Sequence, residues 1–153
     1  MGSLDLTTFT GFLIRRAQQA HMAAWQREVS SDVTSVQFGV LNLLHDSPGS
    51  SQKDLCTALD VDRSTIADIV ARLQSRALIE RVRDTQDRRR NILHLTERGE
   101  REWLELIPRV YRVDQVLTDT LEDSDRAELQ RLLTLMLQAP KVRKVMRESP
   151  HPL

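Results

Sequence analysis

The sequence predicts a mainly α-helical chain with one small β-hairpin set between helices. Three observations predict this. Apolar residues recur at helical spacing along most of the 153 residues. Aromatic residues make up only 4%, and Gly and Pro number five each, which is thin for an all-β sandwich. Only residues 78–95 change period, to two Leu/Ile/Val-rich runs around a polar loop. The length suits a single domain, residues 1–153, able to bury a real core. A hydrophobic share of 40% and a charged share of 29% describe a globular chain rather than a disordered one.

Residues 7–29 contain no Pro and read as the first helix. Its expected inward stripe is Ile14, Ala17, His21 and Trp25, entered by Phe9, Phe12 and Leu13. A second helix is expected over 34–46, with Val36, Val40, Leu43 and Leu44 inward; Ser47-Pro48-Gly49 ends it. Gln52–Leu59 is a short helix with Leu55 and Leu59 inward. Asp60-Val61-Asp62 is a tight turn, and Asp62 is placed to cap the helix Arg63–Arg76. That helix turns Ile66, Ile69, Val70 and Leu73 inward and keeps a polar outer face. Two short helices joined in this way form a helix-turn-helix.

Leu78–Arg83 and Ile92–Leu95 read as strands around the loop Asp84–Asn91. A hairpin with a basic loop directly after a helix-turn-helix makes a winged helix. Thr96 then caps a long helix running to about Thr120, with Trp103, Leu106, Ile107, Val110, Val113 and Leu117 among its apolar positions. Pro108 within it predicts a kink. A last helix is expected over about 125–139, ended by Pro140. Its apolar surface is wider than one packing stripe, which points to burial of Leu129, Leu132, Leu133 and Met136 against another chain.

Net charge is zero, but it is unevenly spread. Residues 1–62 carry 4 basic and 7 acidic groups, 63–96 carry 8 and 4, 97–139 carry 6 and 10, and 140–153 carry 4 and 1. One basic segment between two acidic ones suits a protein that meets phosphates with a single face.

The run Asp84-Thr85-Gln86-Asp87-Arg88-Arg89-Arg90, followed by Ile92-Leu93-His94-Leu95-Thr96 and Gly99, resembles the wing signature of the MarR family of regulators. Val61-Asp62-Arg63-Ser64-Thr65-Ile66 and Leu73–Leu78 resemble the recognition helix of that family. Ala77 stands where a Gly is usual, so the turn before the wing is expected to differ slightly. The resemblance implies a homodimeric winged-helix transcription factor that binds near-palindromic double-stranded DNA and usually represses. Residues 34–96 would be the DNA-binding lobe, and 1–33 with 97–153 the helical dimerisation region. The stretch from Asp5-Leu6-Thr7-Thr8 through Arg15-Arg16 to His21 and Trp25 is similar to the branch that senses aromatic carboxylic acids.

For DNA, the candidate contacts are Arg63, Ser64, Thr65, Asp68 and Arg72 on the recognition helix and Arg88, Arg89 and Arg90 on the wing. Short hydroxyl side chains approach base edges closely, and arginines suit phosphate or a narrow minor groove. Asp87 is expected to orient a wing guanidinium through paired hydrogen bonds, its alternative being an ordinary turn residue. For an effector, Arg15 supplies a planar partner for a carboxylate and His21 a hydrogen bond, while Trp25, Phe38 and Val113 supply walls. Two arginines early in a helix oppose its dipole, so helix stability does not explain Arg15 and Arg16. The plain alternative is that His21 and Trp25 are core and that Arg15 pairs with a second subunit.

No cofactor, metal or catalytic residue is expected. His21, His45, His94 and His151 are scattered, and no CxxC pair, Gly-rich phosphate loop or GxSxG occurs. The lone Cys56 reads as a small core residue of a cytoplasmic protein. No apolar run long enough for a membrane span and no secretory signal is visible. The competing function is a DNA-binding or architectural protein that senses nothing.

Overall fold

A computed structural model describes residues 5–30, 32–87 and 89–148. The element order is α1 (Thr10–Glu28), α2 (Ser35–Asp46), α3 (Gln52–Leu59), α4 (Arg63–Ser75), β1 (Ile79–Arg83), β2 (Asn91–Leu95), α5 (Glu97–Thr118), α6 (Asp123–Gln138) and α7 (Pro140–Glu148). The mainly α architecture with one hairpin is as expected. The start of α1 and the further helix after Pro140 differ, each for a local reason.

α1 begins at Thr10 rather than residue 7. Asp5 Oδ1 accepts the Thr7 N–H at 2.9 Å and its hydroxyl at 2.6 Å, a local turn that competes with helix. Within α1 only Ala24 and Trp25 are buried, with His21 half-buried. The expected stripe therefore fails toward its N-terminus: Ile14, Ala17, Phe9 and Leu13 are exposed because nothing in the same chain covers that half. α2 starts with a reciprocal cap between Thr34 and Gln37 and buries Val40, Leu41 and Leu44. Val36 and Leu43 are only half-buried, and Leu41 takes an inward place that the spacing had not assigned.

The helix-turn-helix follows local chemistry closely. Ser51 and Asp54 cap α3 reciprocally, and Asp60 closes it at φ 51°. Asp62 then caps α4, whose Ile66, Ile69, Val70 and Leu73 are all buried. The turn into the wing places Ala77 at φ 56°. The departure from Gly thus leaves the left-handed turn in place, and a Cβ is accommodated at a cost. Ala77→Gly should raise stability by about 1 kcal/mol, read as a higher denaturation midpoint. A lower midpoint would show that the turn is not strained.

β1 and β2 pair antiparallel, with Ile79 opposite Leu95 and Arg83 opposite Asn91. Thr96 ties the hairpin to α5. Its N–H donates to the Leu78 carbonyl at 3.0 Å, its hydroxyl to the Ala77 carbonyl at 2.7 Å, and it accepts the Gly99 N–H at 3.0 Å. α5 continues through Pro108 and buries Leu106 and Val113, leaving Leu117 exposed. Pro140 ends α6 but also opens a further helix, α7, where its missing N–H costs nothing.

One core joins Trp25 of α1, α2, Leu55 of α3, α4, Leu78, Ile79 and Leu93 of the hairpin region, and Leu106 and Val113 of α5. α6 buries no residue at all. Polar joints fix α5 against the lobe before it. The rings of His45 and Trp103 stack at 3.6 Å, and His45 Nδ1 lies 3.0 Å from Glu100 Oε2. Trp103 Nε1 donates to Asn42 Oδ1 at 3.1 Å, and Arg76 bridges Glu102 and the Asp32 carbonyl.

Candidate nucleic-acid interface and effector site

The outer face of α4 begins at a tightly held cap. Asp62 Oδ1 accepts from Ser64 Oγ at 2.6 Å and from the Thr65 N–H at 2.9 Å, while Oδ2 accepts from Thr65 Oγ1 at 2.6 Å. These donors, the Ser64 hydroxyl first, hold the Asp62 carboxyl well below the ordinary aspartate range. Both hydroxyl protons are thereby committed, so Ser64 and Thr65 offer a nucleic acid only their acceptor lone pairs. Ser64 is exposed and Thr65 half-buried. Arg63, Asp68 and Arg72 lie exposed along the same helix, and among the described residues none of them has an ion-pair partner.

In the wing, Asp84 N–H donates to the Arg90 carbonyl, and Arg90 N–H to the Asp87 carbonyl, both at 2.9 Å. Asp87 Oδ1 accepts the Arg89 N–H at 3.0 Å. Among the described residues, Asp87 therefore shapes the turn and holds no guanidinium, because the backbone donor two residues on is its nearest partner. The orienting carboxylate is Asp54 of α3, whose Oδ2 lies 2.7 Å from Arg90 Nη2. The Ser51 hydroxyl first, then the Ser51 N–H and Arg90, keep the Asp54 carboxyl below its ordinary range. Arg89 is exposed at the tip with no ion-pair partner among the described residues. Arg88 lies outside the described residues. Arg81 and Arg83, which the sequence reading did not single out, extend the exposed basic surface down β1.

The proposed effector residues divide into two groups. His21, Trp25 and Phe38 form a chain of tilted rings, with centroids 5.8 Å and 6.0 Å apart. Trp25 Nε1 donates to the Val33 carbonyl at 2.7 Å, so this indole offers a wall and no free donor. Val113 is buried in the same core cluster. His21 is half-buried, with no hydrogen bond to its ring among the described residues. Arg15 stands apart, exposed, with its guanidinium 5.0 Å above the Phe12 ring. Six residues separate Arg15 from His21, which puts them roughly 120° apart around the helix. Arg15 and His21 therefore face different directions within one chain.

Leu129, Leu132 and Leu133 are 40–50% exposed and Met136 is half-buried, all on a helix that its own chain leaves uncovered. Among the described residues no group of His, Cys, Asp and Glu is arranged to hold a metal ion. None of the described helices is long and apolar enough to cross a membrane. Cys56 is half-buried against the core.

Comparison with known proteins agrees with this geometry. Residues 31–90 match the model of the MarR family. The chain is 35% identical over 136 residues to the HTH-type transcriptional repressor NicR of Pseudomonas putida, covering 88% of this chain and 86% of that one. The PcaV transcriptional regulator of Streptomyces coelicolor, solved with its natural ligand, superposes with a TM-score of 0.86. It shares 41% identity over 91% of this chain and 99% of its own. BpsR of Bordetella bronchiseptica, whose DNA binding is regulated by 6-hydroxynicotinic acid, superposes at 0.85. Its identity is 31%, over 90% of this chain and 99% of its own. Hairpin, capped recognition helix and overall likeness converge: the chain belongs to the MarR family of winged helix-turn-helix transcriptional regulators.

Proposed function

We propose that this DNA-binding regulator acts as a homodimeric repressor that a small aromatic carboxylate releases from a near-palindromic operator. Residues 34–96 are the DNA-binding lobe in this reading, and 1–33 with 97–153 the dimerisation region. It carries out no catalysis and works in the cytoplasm without a cofactor. The observation that carries the sensing part is the state of α1: an exposed arginine pair with no anionic partner among the described residues, on the same helix as the His21–Trp25 ring pair. An aromatic acid combines a flat apolar body, which the ring pair can wall, with a carboxylate, which an arginine can hold; within one chain these two features lie on different faces of α1, so in this reading a complete site needs the homodimer. The likeness to BpsR, regulated by a hydroxylated aromatic acid, supports the same ligand class.

The effector works only if it binds the DNA-incompetent arrangement more tightly than the competent one. α1 is packed on α5, and α5 is joined to α2 and α4 by the His45–Trp103 stack and the Arg76–Glu102 pair. A ligand bound at α1 can thus bias the position of α4 through α5.

A thermal-shift screen of hydroxybenzoates and related acids tests the reading. At least one acid should raise the melting temperature of the wild-type chain. Arg15→Ala should remove that shift and leave DNA affinity nearly unchanged, since Arg15 lies outside the basic segment 63–96. A retained shift in the variant would move the site elsewhere. On the DNA side, Arg89→Ala should weaken binding and reduce the salt slope by roughly 1, the signature of one lost phosphate contact. Unchanged affinity and slope at matched salt would remove Arg89 from the interface.

A further inference from the structure

Between Asp62 and Glu80 the sequence carries one acidic residue, Asp68, among Arg63, Arg72 and Arg76. It lies exposed on the outer face of α4. Ser64, Asp68 and Arg72 are spaced by four, so they follow one another along that face, a turn apart. Asp68 and Arg72 have the spacing of a helical ion pair, yet neither is in one among the described residues. Packing does not explain the carboxylate, because the helix buries Ile66, Ile69, Val70 and Leu73 instead. Helix stability does not explain it either. Asp is a poor residue for a helix interior, and Asp68 sits beyond the first turn, where the helix dipole would favour an anion. On a helix that meets a polyanion, a bare negative charge weakens binding unless it has a specific partner there.

The cap of the same helix completes the pattern. Asp62 takes the hydroxyl protons of both Ser64 and Thr65, so Ser64 turns only lone pairs outward. An ionised carboxylate also only accepts. Ser64 and Asp68 therefore form a stripe of acceptors with no donor, about 6 Å apart along the helix axis. In the major groove the donors are the amino groups of cytosine and adenine, whereas guanine and thymine present acceptors. Adenine sets its N7 acceptor beside the amino group, which repels a carboxylate; cytosine has no acceptor on that edge. We propose that Asp68 determines specificity by accepting a hydrogen bond from the N4 amino group of a cytosine in each half-site. Ser64 accepts from the amino group of a neighbouring base. Phosphates repel the carboxylate on every duplex, and only a cytosine in reach offsets that repulsion. Asp68 thus contributes discrimination rather than affinity. This inference deepens the DNA-binding reading and rests on α4 entering the major groove as a recognition helix does.

Parallel selection from a random duplex pool, with the full-length wild type and with Asp68→Asn, tests it. Asparagine keeps the shape and helix propensity of Asp68, removes its charge and adds a donor. Wild type should select a cytosine at one position of each half-site, and Asp68→Asn should not require it there. Anisotropy titrations at matched salt then replace that cytosine by deoxyzebularine, the same nucleoside without its amino group. Both proteins meet the same duplexes, so any weakening of the base pair itself cancels. Wild type should bind the substituted duplex about 10-fold more weakly, and the variant no more than about 2-fold. An unrelated duplex should bind the variant more tightly than wild type, because one repulsive charge is gone. Identical selected sequences, or an equal loss on removing the amino group, would overturn the proposal and leave DNA binding standing. Equal weakening of the variant on all duplexes would also overturn it, by making Asp68 a support for Arg72. A wild-type chain that enriches no duplex would overturn both readings.

Discussion

Gly99→Ala should destabilise the protein by about 3 kcal/mol or more, at or beyond the upper end of what overpacking ordinarily costs. A Cβ at this position would lie 1.9 Å from the Leu78 carbonyl oxygen and 2.9 Å from its carbon. Both obstacles are backbone, so no side-chain rotation relieves them. The same carbonyl accepts the Thr96 N–H, and Thr96 caps α5 through the Gly99 N–H. A shift of Leu78 would therefore loosen the hairpin, the cap and the start of α5 together. Total stability of a domain this size is about 5–15 kcal/mol, so the loss would be visible at once. Urea denaturation of both proteins is the check. A midpoint shift worth less than about 0.5 kcal/mol would mean that α5 and the hairpin are not in this close contact.

Leu132→Glu combined with Leu133→Glu should separate the dimer, with dimerisation weakened at least about 100-fold. Leu132 is 50% exposed and Leu133 41% exposed in the single chain. Roughly half of each side chain's burial energy thus remains to be gained on association, about 0.75 kcal/mol each at the lower end. Four such side chains in a two-fold dimer contribute about 3 kcal/mol. Glutamate removes this and places like charges across the axis. Helix propensity is hardly altered, and α6 buries nothing in its own chain, so the monomer should still fold. DNA affinity should fall with the dimer, because one recognition helix then binds without its partner about one turn away. Sedimentation that still shows dimer at micromolar concentration would place the interface on other helices.

How much of this was legible before the structure depended on the range of the interaction. The α3–α4 unit was readable almost residue by residue, because Ser51, Asp54 and Asp62 cap within three residues and four apolar side chains keep one spacing. Gly99 belonged to the family pattern, but its reason, the Leu78 carbonyl, lies 21 positions back in the chain. The partner of Arg90 was hidden for the same reason. Asp87 is adjacent in sequence, whereas Asp54 reaches Arg90 across 36 positions. The Ser51-x-x-Asp54 spacing could have shown the cap, but nothing local could show the ion pair. The joints that connect α5 to the DNA-binding lobe, His45 with Trp103 and Arg76 with Glu102, were likewise invisible to periodicity. α1 and α6 were the opposite case. Their apolar faces were evident, and the single chain leaves them uncovered; in the homodimer proposed above a second copy completes them.

The most direct test of ligand-controlled DNA binding is a linked titration. A duplex selected by the protein from a random pool should prove near-palindromic. Its affinity is measured with and without the acid that gave the largest thermal shift, and the affinity of that acid is measured with and without the duplex. The account predicts that the acid lowers DNA affinity about 30-fold, a coupling of roughly 2 kcal/mol, and that DNA lowers acid affinity by the same factor. Acid that binds the free protein and the DNA complex equally would contradict it, leaving a MarR-family DNA-binding protein that does not respond to this ligand class.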